Sequence, residues 1–86
     1  MLEKVKLALR ISHTLLDDEI TESIASARAE MVRAGVSDEV AESDLPLVHE
    51  AIKTYCRYIY SNDTKMKEGF FTSWEYQLDN LRKSVM

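Results

Sequence analysis

Cysteine is nearly missing from this 86-residue chain. Cys56 stands alone, so no internal disulfide can form, and its place inside an apolar helical pattern marks it as a buried small hydrophobe. Glycine is almost as scarce: Gly35 and Gly69 are the only two, too few and too far apart to build a phosphate-cradling loop. No apolar run approaches the roughly 18 residues of a membrane helix. No basic N-terminus leads into an apolar segment and cleavage site, so the chain's own signals keep it in the cytosol and off membranes. Lysine and arginine never cluster, although gripping nucleic acid generally requires such a cluster to displace counterions from phosphates. Tight DNA binding is disfavoured on that ground.

What is present is ordinary in amount and uneven in arrangement. Hydrophobic residues at 45% and charged residues at 30% fit a soluble globular protein rather than a disordered one. The length suits one domain, spanning residues 1–86. Residues 17–50 carry ten acids and two bases, a balance of −8, while the segments on either side are each +2. Such segregation can set one face of a subunit against another, or line a surface that repels phosphates.

Apolar spacing predicts helices throughout, with no strand pattern. Leu2, Val5 and Leu9 define a short N-terminal helix that is marginal alone and has to dock. A long helix is expected over 18–34, capped by Asp17 or Asp18 and stopped by Gly35, with Ile20, Ile24, Ala27, Met31 and Ala34 facing inward. Residues 35–45 read as a polar connection with room for one short turn of helix. Pro46 suits the first turn of a second long helix over 46–61, with Ser43 or Asp44 available as cap. Apolar residues cover roughly 220° of that helix, far more than a surface helix needs, so it is central or faces a partner as well as the core. Ser61-Asn62-Asp63 reads as a turn, continued as loop to Gly69. A last helix is expected over 70–84, with Phe70, Trp74, Leu78, Leu81 and Val85 on one face. The expected fold is therefore all-α: a small single-domain helical bundle of one short and three longer helices. Its core should hold Ile24, Met31, Ile52, Tyr55, Ile59, Trp74 and Leu78.

Candidate chemistry is sparse. Asp17-Asp18-Glu19 resembles a metal or acid–base cluster, but consecutive residues at a helix start point in different directions and suit the helix dipole instead. Neither His13 nor His49 has a His or Cys at the spacing a zinc site requires. Nothing in sequence beyond Arg57, which projects about 100° away, would activate Cys56 as a nucleophile. No enzyme, metal or organic cofactor is indicated. Most aromatic residues belong to inward faces. Tyr76 lies opposite the apolar face of the last helix, and Tyr58, Tyr60 and Phe71 are further rings that a core this small cannot wholly absorb. These four, with the acids Asp38 and Glu39, are the candidate subunit-interface residues.

Three segments carry a family resemblance: Val5-Lys6-Leu7-Ala8-Leu9-Arg10-Ile11-Ser12-His13 followed by Asp17-Asp18-Glu19-Ile20; Ala51-Ile52-Lys53-Thr54-Tyr55-Cys56; and Ser73-Trp74-Glu75-Tyr76-Gln77-Leu78-Asp79-Asn80-Leu81-Arg82-Lys83-Ser84. Together they span almost the whole chain, and it resembles the bacteriophage head-tail connector, or adaptor, proteins. The resemblance implies an all-helical, non-enzymatic structural subunit of the virion neck, made in the host bacterial cytoplasm. Its partners would be further copies of itself in a ring, the portal protein above, and a tail-side connector or stopper below. Double-stranded DNA would pass through the channel without tight specific binding. The rival expectation is a small helical DNA-binding or anti-repressor-type regulator of a phage or prophage. That reading requires a basic recognition helix, for which only the last helix, with Arg82 and Lys83, is a candidate.

Overall fold

The apolar positions in helical register become five helices in the computed structural model, which describes residues 1–83. They are α1 (Leu2–Leu9), α2 (Asp17–Arg33), α3 (Asp38–Ala41), α4 (Pro46–Tyr60) and α5 (Thr64–Arg82), with no strand among the described residues. The all-α bundle is as expected, and the short turn in 35–45 is α3. The expected end of the last helix at residue 84 and the apolar role of Val85 lie outside the described residues. Among those residues no helix is long and apolar enough to cross a membrane.

Backbone chemistry explains most boundaries. α2 ends because Gly35 takes φ 100°, which lets Gly35 N–H donate to the Val32 carbonyl at 3.0 Å and Val36 N–H to the Met31 carbonyl at 2.9 Å. This pair of bonds satisfies the last carbonyls, and Val36 beyond it is buried, closing the helix end against the core. α1 ends in the same way without glycine, with Arg10 at φ 59° and Ile11 N–H donating to the Lys6 carbonyl at 2.9 Å.

The expected caps differ from the observed ones. The N-cap of α2 is Leu16, with no side-chain cap bond, rather than Asp17 or Asp18. Asp17 is the first helical residue and its carboxylate lies 2.8 Å from Lys6 Nζ. Lys6 is only 5% exposed, so its ammonium claims the carboxylate that would otherwise cap. At α4 the N-cap is Leu45, followed by Pro46. Ser43 Oγ accepts from Leu45 N–H at 3.4 Å, and Asp44 turns instead to His49.

The loop expected up to Gly69 is helical. Asp63 caps α5, its Oδ1 accepting from Lys65 N–H at 2.9 Å and Met66 N–H at 3.1 Å. A good cap is worth about 1 kcal/mol, enough to offset a mid-helix glycine that costs about the same. Gly69 is exposed, and nothing lies within 4 Å of a Cβ built on it. Gly69→Ala is therefore expected to stabilise the fold by about 0.5–1 kcal/mol, visible as a rise of a few degrees in Tm by circular dichroism. An unchanged or lowered Tm would mean that this turn of helix is not formed in solution.

α4 is the hub of the bundle, touching α1, α2 and α5. Val48, Ala51, Ile52 and Cys56 on α4 are fully buried, meeting Ile20, Ala27 and Met31 of α2, Trp74 and Leu81 of α5 and Val5 of α1 in one core. Of the expected core residues, Ile24, Met31, Ile52, Trp74 and Leu78 are buried. Tyr55 is half-buried, its ring centroid 5.1 Å from that of Trp74. Ile59 is not core: it is 41% exposed. It shares a helical stripe with Val48 and Ile52 but sits in the last turn of α4, where the covering helices run out.

Candidate subunit interface

α4 and α5 are joined by only residues 61–63 and pack along their length as a helical hairpin. Burying Trp74, Leu78 and Leu81 of α5 against the core leaves the flanks of the hairpin open. Three clefts on them gather the aromatic candidates. The first lies between Tyr58 and Phe71, whose ring centroids are 5.3 Å apart at 44°, with Lys67 Nζ 5.3 Å from the Tyr58 centroid. Phe71 is 42% exposed.

The second cleft, at the end of the hairpin where α4 begins, is lined by Leu47, Glu50, Ser73, Tyr76, Gln77 and Asn80 and meets the first at Thr72; the Glu50 carboxylate accepts from Lys53 Nζ at 3.1 Å. Tyr76 is 69% exposed and Leu47 58%. Gln77 Oε1 is buried there with no donor, an acceptor left without the hydrogen bond that burial normally demands.

The third cleft, at the other end, is lined by Leu9 and Arg10 of α1, Arg57 and Tyr60 of α4, and Met66 and Phe70 of α5. Tyr60 is half-buried and packs on the core, its hydroxyl 3.2 Å from Ser23 Oγ of α2. The four aromatic candidates are thus distributed over three clefts rather than gathered in one.

Asp38 and Glu39 line none of these clefts. Both are exposed in the first turn of α3, where Ser37 Oγ accepts from Val40 N–H at 3.3 Å. α3 is tied to α2 by Arg28, which donates to the carbonyls of Ala41 at 2.7 Å and Ser43 at 3.1 Å.

Two exposed leucines were not expected: Leu7 at 81% and Leu15 at 86%. Leu7 falls outside the Leu2–Val5–Leu9 stripe, which is the signal that it faces away from the core. Leu15 had no such signal, because its turn is set by contacts such as Leu15 N–H donating to His13 Nδ1 at 3.3 Å.

The titratable groups do structural work. His49 bridges α1 and the α3–α4 connection, with Nε2 3.2 Å from Asp44 Oδ1 and Nδ1 3.3 Å from Lys4 Nζ. The hydrogen bond from His49 holds the Asp44 carboxyl below the usual carboxylate range. Hydrogen bonds from Lys83 and then Arg82 do the same for Asp79. Among the described residues no three His, Cys, Asp or Glu side chains converge as metal ligands would.

Burial pushes the Cys56 thiol up to about 11. An unfolded thiol ionises near 9, so the neutral form favoured by the fold contributes stability that is whole below pH 9 and is lost as pH rises towards 11. Cys56 is accordingly expected to resist a thiol reagent at pH 8 in the native protein and to react in urea. Rapid modification of the folded chain would overturn its assignment as an inert core residue.

No curated protein and no solved structure matches this chain. A family model described as phage connector protein matches residues 1–85. With an all-helical bundle as its fold and a match that runs from the first residue to the last but one, the chain belongs to the phage head-tail connector family.

Proposed function

We propose that the protein is a subunit of a ring beneath the portal, joining phage head to tail and continuing the DNA channel. The observation that carries this reading is the family match over residues 1–85. The exposed apolar side chains of the hairpin clefts, Leu47, Met66, Phe71 and Tyr76, support it, because a solitary domain gains nothing by exposing large apolar side chains at the mouths of clefts. Ring contacts join unlike surfaces of identical subunits. The candidates for them are Tyr58, Tyr60, Phe71 and Tyr76 in the clefts and Asp38 and Glu39 on α3.

Its partners in this reading are further copies of the chain, the portal protein, and a tail-side connector or stopper protein, in the neck of the virion. The acids of residues 17–50 serve either the subunit contacts or the channel wall, where negative charge keeps duplex DNA sliding. The role is structural, without catalysis or cofactor. A DNA-reading role is disfavoured because the basic end of α5 is already engaged: Arg82 and Lys83 pair with Asp79 at 3.3 and 3.1 Å, and Arg82 also donates to the Ala34 carbonyl.

The test is size-exclusion chromatography with light scattering on pure protein, with and without its portal protein. Assembly is expected in the presence of the portal even where the isolated chain stays monomeric, since the portal acts as template. Tyr76→Ala should weaken assembly about tenfold or more while leaving the helical circular dichroism unchanged. Reversing Asp38 and Glu39 to lysine should change assembly or the passage of DNA, with the fold intact. Failure to form any oligomer or portal complex, together with nanomolar duplex binding that weakens steeply with salt, would replace this reading with the DNA-binding one.

A further inference from the structure

Between α1 and the start of α4, His49 lines a cleft with Lys4 of α1, Asp44 of the α3–α4 connection, and Glu50 and Lys53 of its own helix. Its side chain is 14% exposed, and both ring nitrogens are engaged: Nε2 lies 3.2 Å from Asp44 Oδ1 and Nδ1 3.3 Å from Lys4 Nζ. An ammonium has no lone pair to offer and a carboxylate no proton, so these partners leave a single assignment. Nδ1 accepts from Lys4, and Nε2–H donates to Asp44. The arrangement is that of an uncharged imidazole.

A further proton has only Nδ1 to go to, where it points at the Lys4 ammonium. Protonation therefore costs the bond from Lys4 and sets two cations against each other. The bond to Asp44 survives and becomes charge-assisted. Of the other charges around the ring, Glu50 and Lys53 neutralise each other at 3.1 Å. Arg28 of α2, which donates to the carbonyls of Ala41 and Ser43, adds positive charge on the Asp44 side, as does the α-amino group of Met1. Glu3, the acid of α1, lines a different cleft with Lys6. What α1 brings to His49 is positive charge alone.

We infer that His49 is a proton-sensitive catch on α1: acidification loosens the docking of α1 on α4 while the α3–α4 connection stays fastened. When α1 lifts, its positive charge leaves the ring and Asp44 stays, so His49 holds a proton more readily with α1 open than with α1 docked. The open form is thus favoured as pH falls from about 8 to about 5, the interval in which imidazoles charge. Asp44 stays ionised there, because the hydrogen bond from His49 holds its carboxyl below the usual range. The catch biases α1 and does not eject it. Val5 is fully buried and Lys6 lies 2.8 Å from Asp17, contacts in which His49 has no part. One partly exposed link of this kind is worth about three- to tenfold in the opening equilibrium.

The experiment is amide hydrogen exchange of the full chain at about pH 7.5 and about pH 5, corrected for intrinsic rates. In wild type, opening at the amides of Val5 to Leu9 is expected to rise about three- to tenfold at the lower pH, with α4 and α5 unchanged. His49→Gln, which cannot take up the proton, should abolish the rise. Lys4→Met, which removes the cation that the proton opposes, should flatten it and leave α1 more open than wild type at the higher pH. Lys4 is exposed, so this variant carries the test even where His49→Gln weakens the fold. The control is His13→Gln, at the other histidine of the chain, whose Nδ1 accepts from Leu15 N–H in the turn after α1. It should keep the rise.

Equal opening of α1 at both pH values in wild type would overturn the catch. A rise that persists in His49→Gln, or that disappears in His13→Gln, would overturn it as well, since either places the titrating group elsewhere. Full pH dependence in Lys4→Met would sink it too, because His49 would then act through something other than its contact with α1.

Discussion

Ile52→Ala is expected to remove about 2–5 kcal/mol of stability. Ile52 has no exposed surface and lies on α4, the helix that α1, α2 and α5 all touch. Truncation there deletes three carbons from a site walled by several helices that cannot all move in, so the cavity term adds to the lost transfer energy. An 86-residue domain has about 4–13 kcal/mol in total at 0.05–0.15 kcal/mol per residue. The loss should therefore appear in urea unfolding as a much lower midpoint with little change in slope. Ile59→Ala is the internal control. It lies on the same stripe two turns later but is 41% exposed, so it is expected to cost under about 1 kcal/mol. Equal costs at the two sites would mean that α4 is covered along its whole length, contrary to the packing described here.

That contrast also marks how far the sequence could be read. Ile52 and Ile59 have the same periodicity, and periodicity identifies a stripe without saying where its cover stops. Helix ends were legible wherever local chemistry sets them: Gly35 and Pro46 place α2 and α4 to within a residue. The start of α5 is hidden in the sequence because Gly69 is a strong local signal for a break, while the Asp63 cap that overrides it is recognisable only once the helix is known to begin there. Asp17 has the sequence signature of a cap, and nothing in sequence reveals that Lys6 is buried beside it.

The same division runs through the candidate interface. Tyr76 is legible in the sequence because it lies about 200° from Trp74 around α5, off the apolar face. Tyr58 and Phe71 appear together because two helices bring them together. That Arg10 and Arg57 share one cleft, and Glu50 and Gln77 another, depends on residues 47 and 27 positions apart in sequence respectively, and no local pattern announces it. Charge segregation was legible as a tally along the chain, yet the acids at 38 and 39 do not line the clefts. Charge relevant to a contact is fixed by which helices adjoin, not by which segment carries the larger balance.

Asp17→Ala is expected to cost about 2–3 kcal/mol, more than the loss of an acid in the first turn of a helix would suggest. The reason is Lys6, whose side chain is 6% exposed and whose ammonium lies 2.8 Å from the Asp17 carboxylate; the Asp17 side chain is itself 29% exposed. Removing the acid leaves a nearly buried cation without a counter-charge, which costs about 3–5 kcal/mol for a fully buried pair. The partial exposure of Asp17 lets solvent screen some of this, hence the lower figure. The pair itself contributes far less than its rupture costs, because both charges were desolvated to form it. Replacing the two together, Lys6→Met with Asp17→Leu, is therefore expected to lie within about 1 kcal/mol of wild type or above it. Urea unfolding of the two single variants and the double variant closes a thermodynamic cycle whose coupling should be about 2 kcal/mol or more. Amide exchange should locate the damage of Asp17→Ala in α1 and in the turn leading to α2, since the pair ties those elements together. If Asp17→Ala unfolds within 0.5 kcal/mol of wild type, Lys6 has a route to water that the packing of α1 does not provide, and α1 is held by Val5 and its apolar neighbours alone.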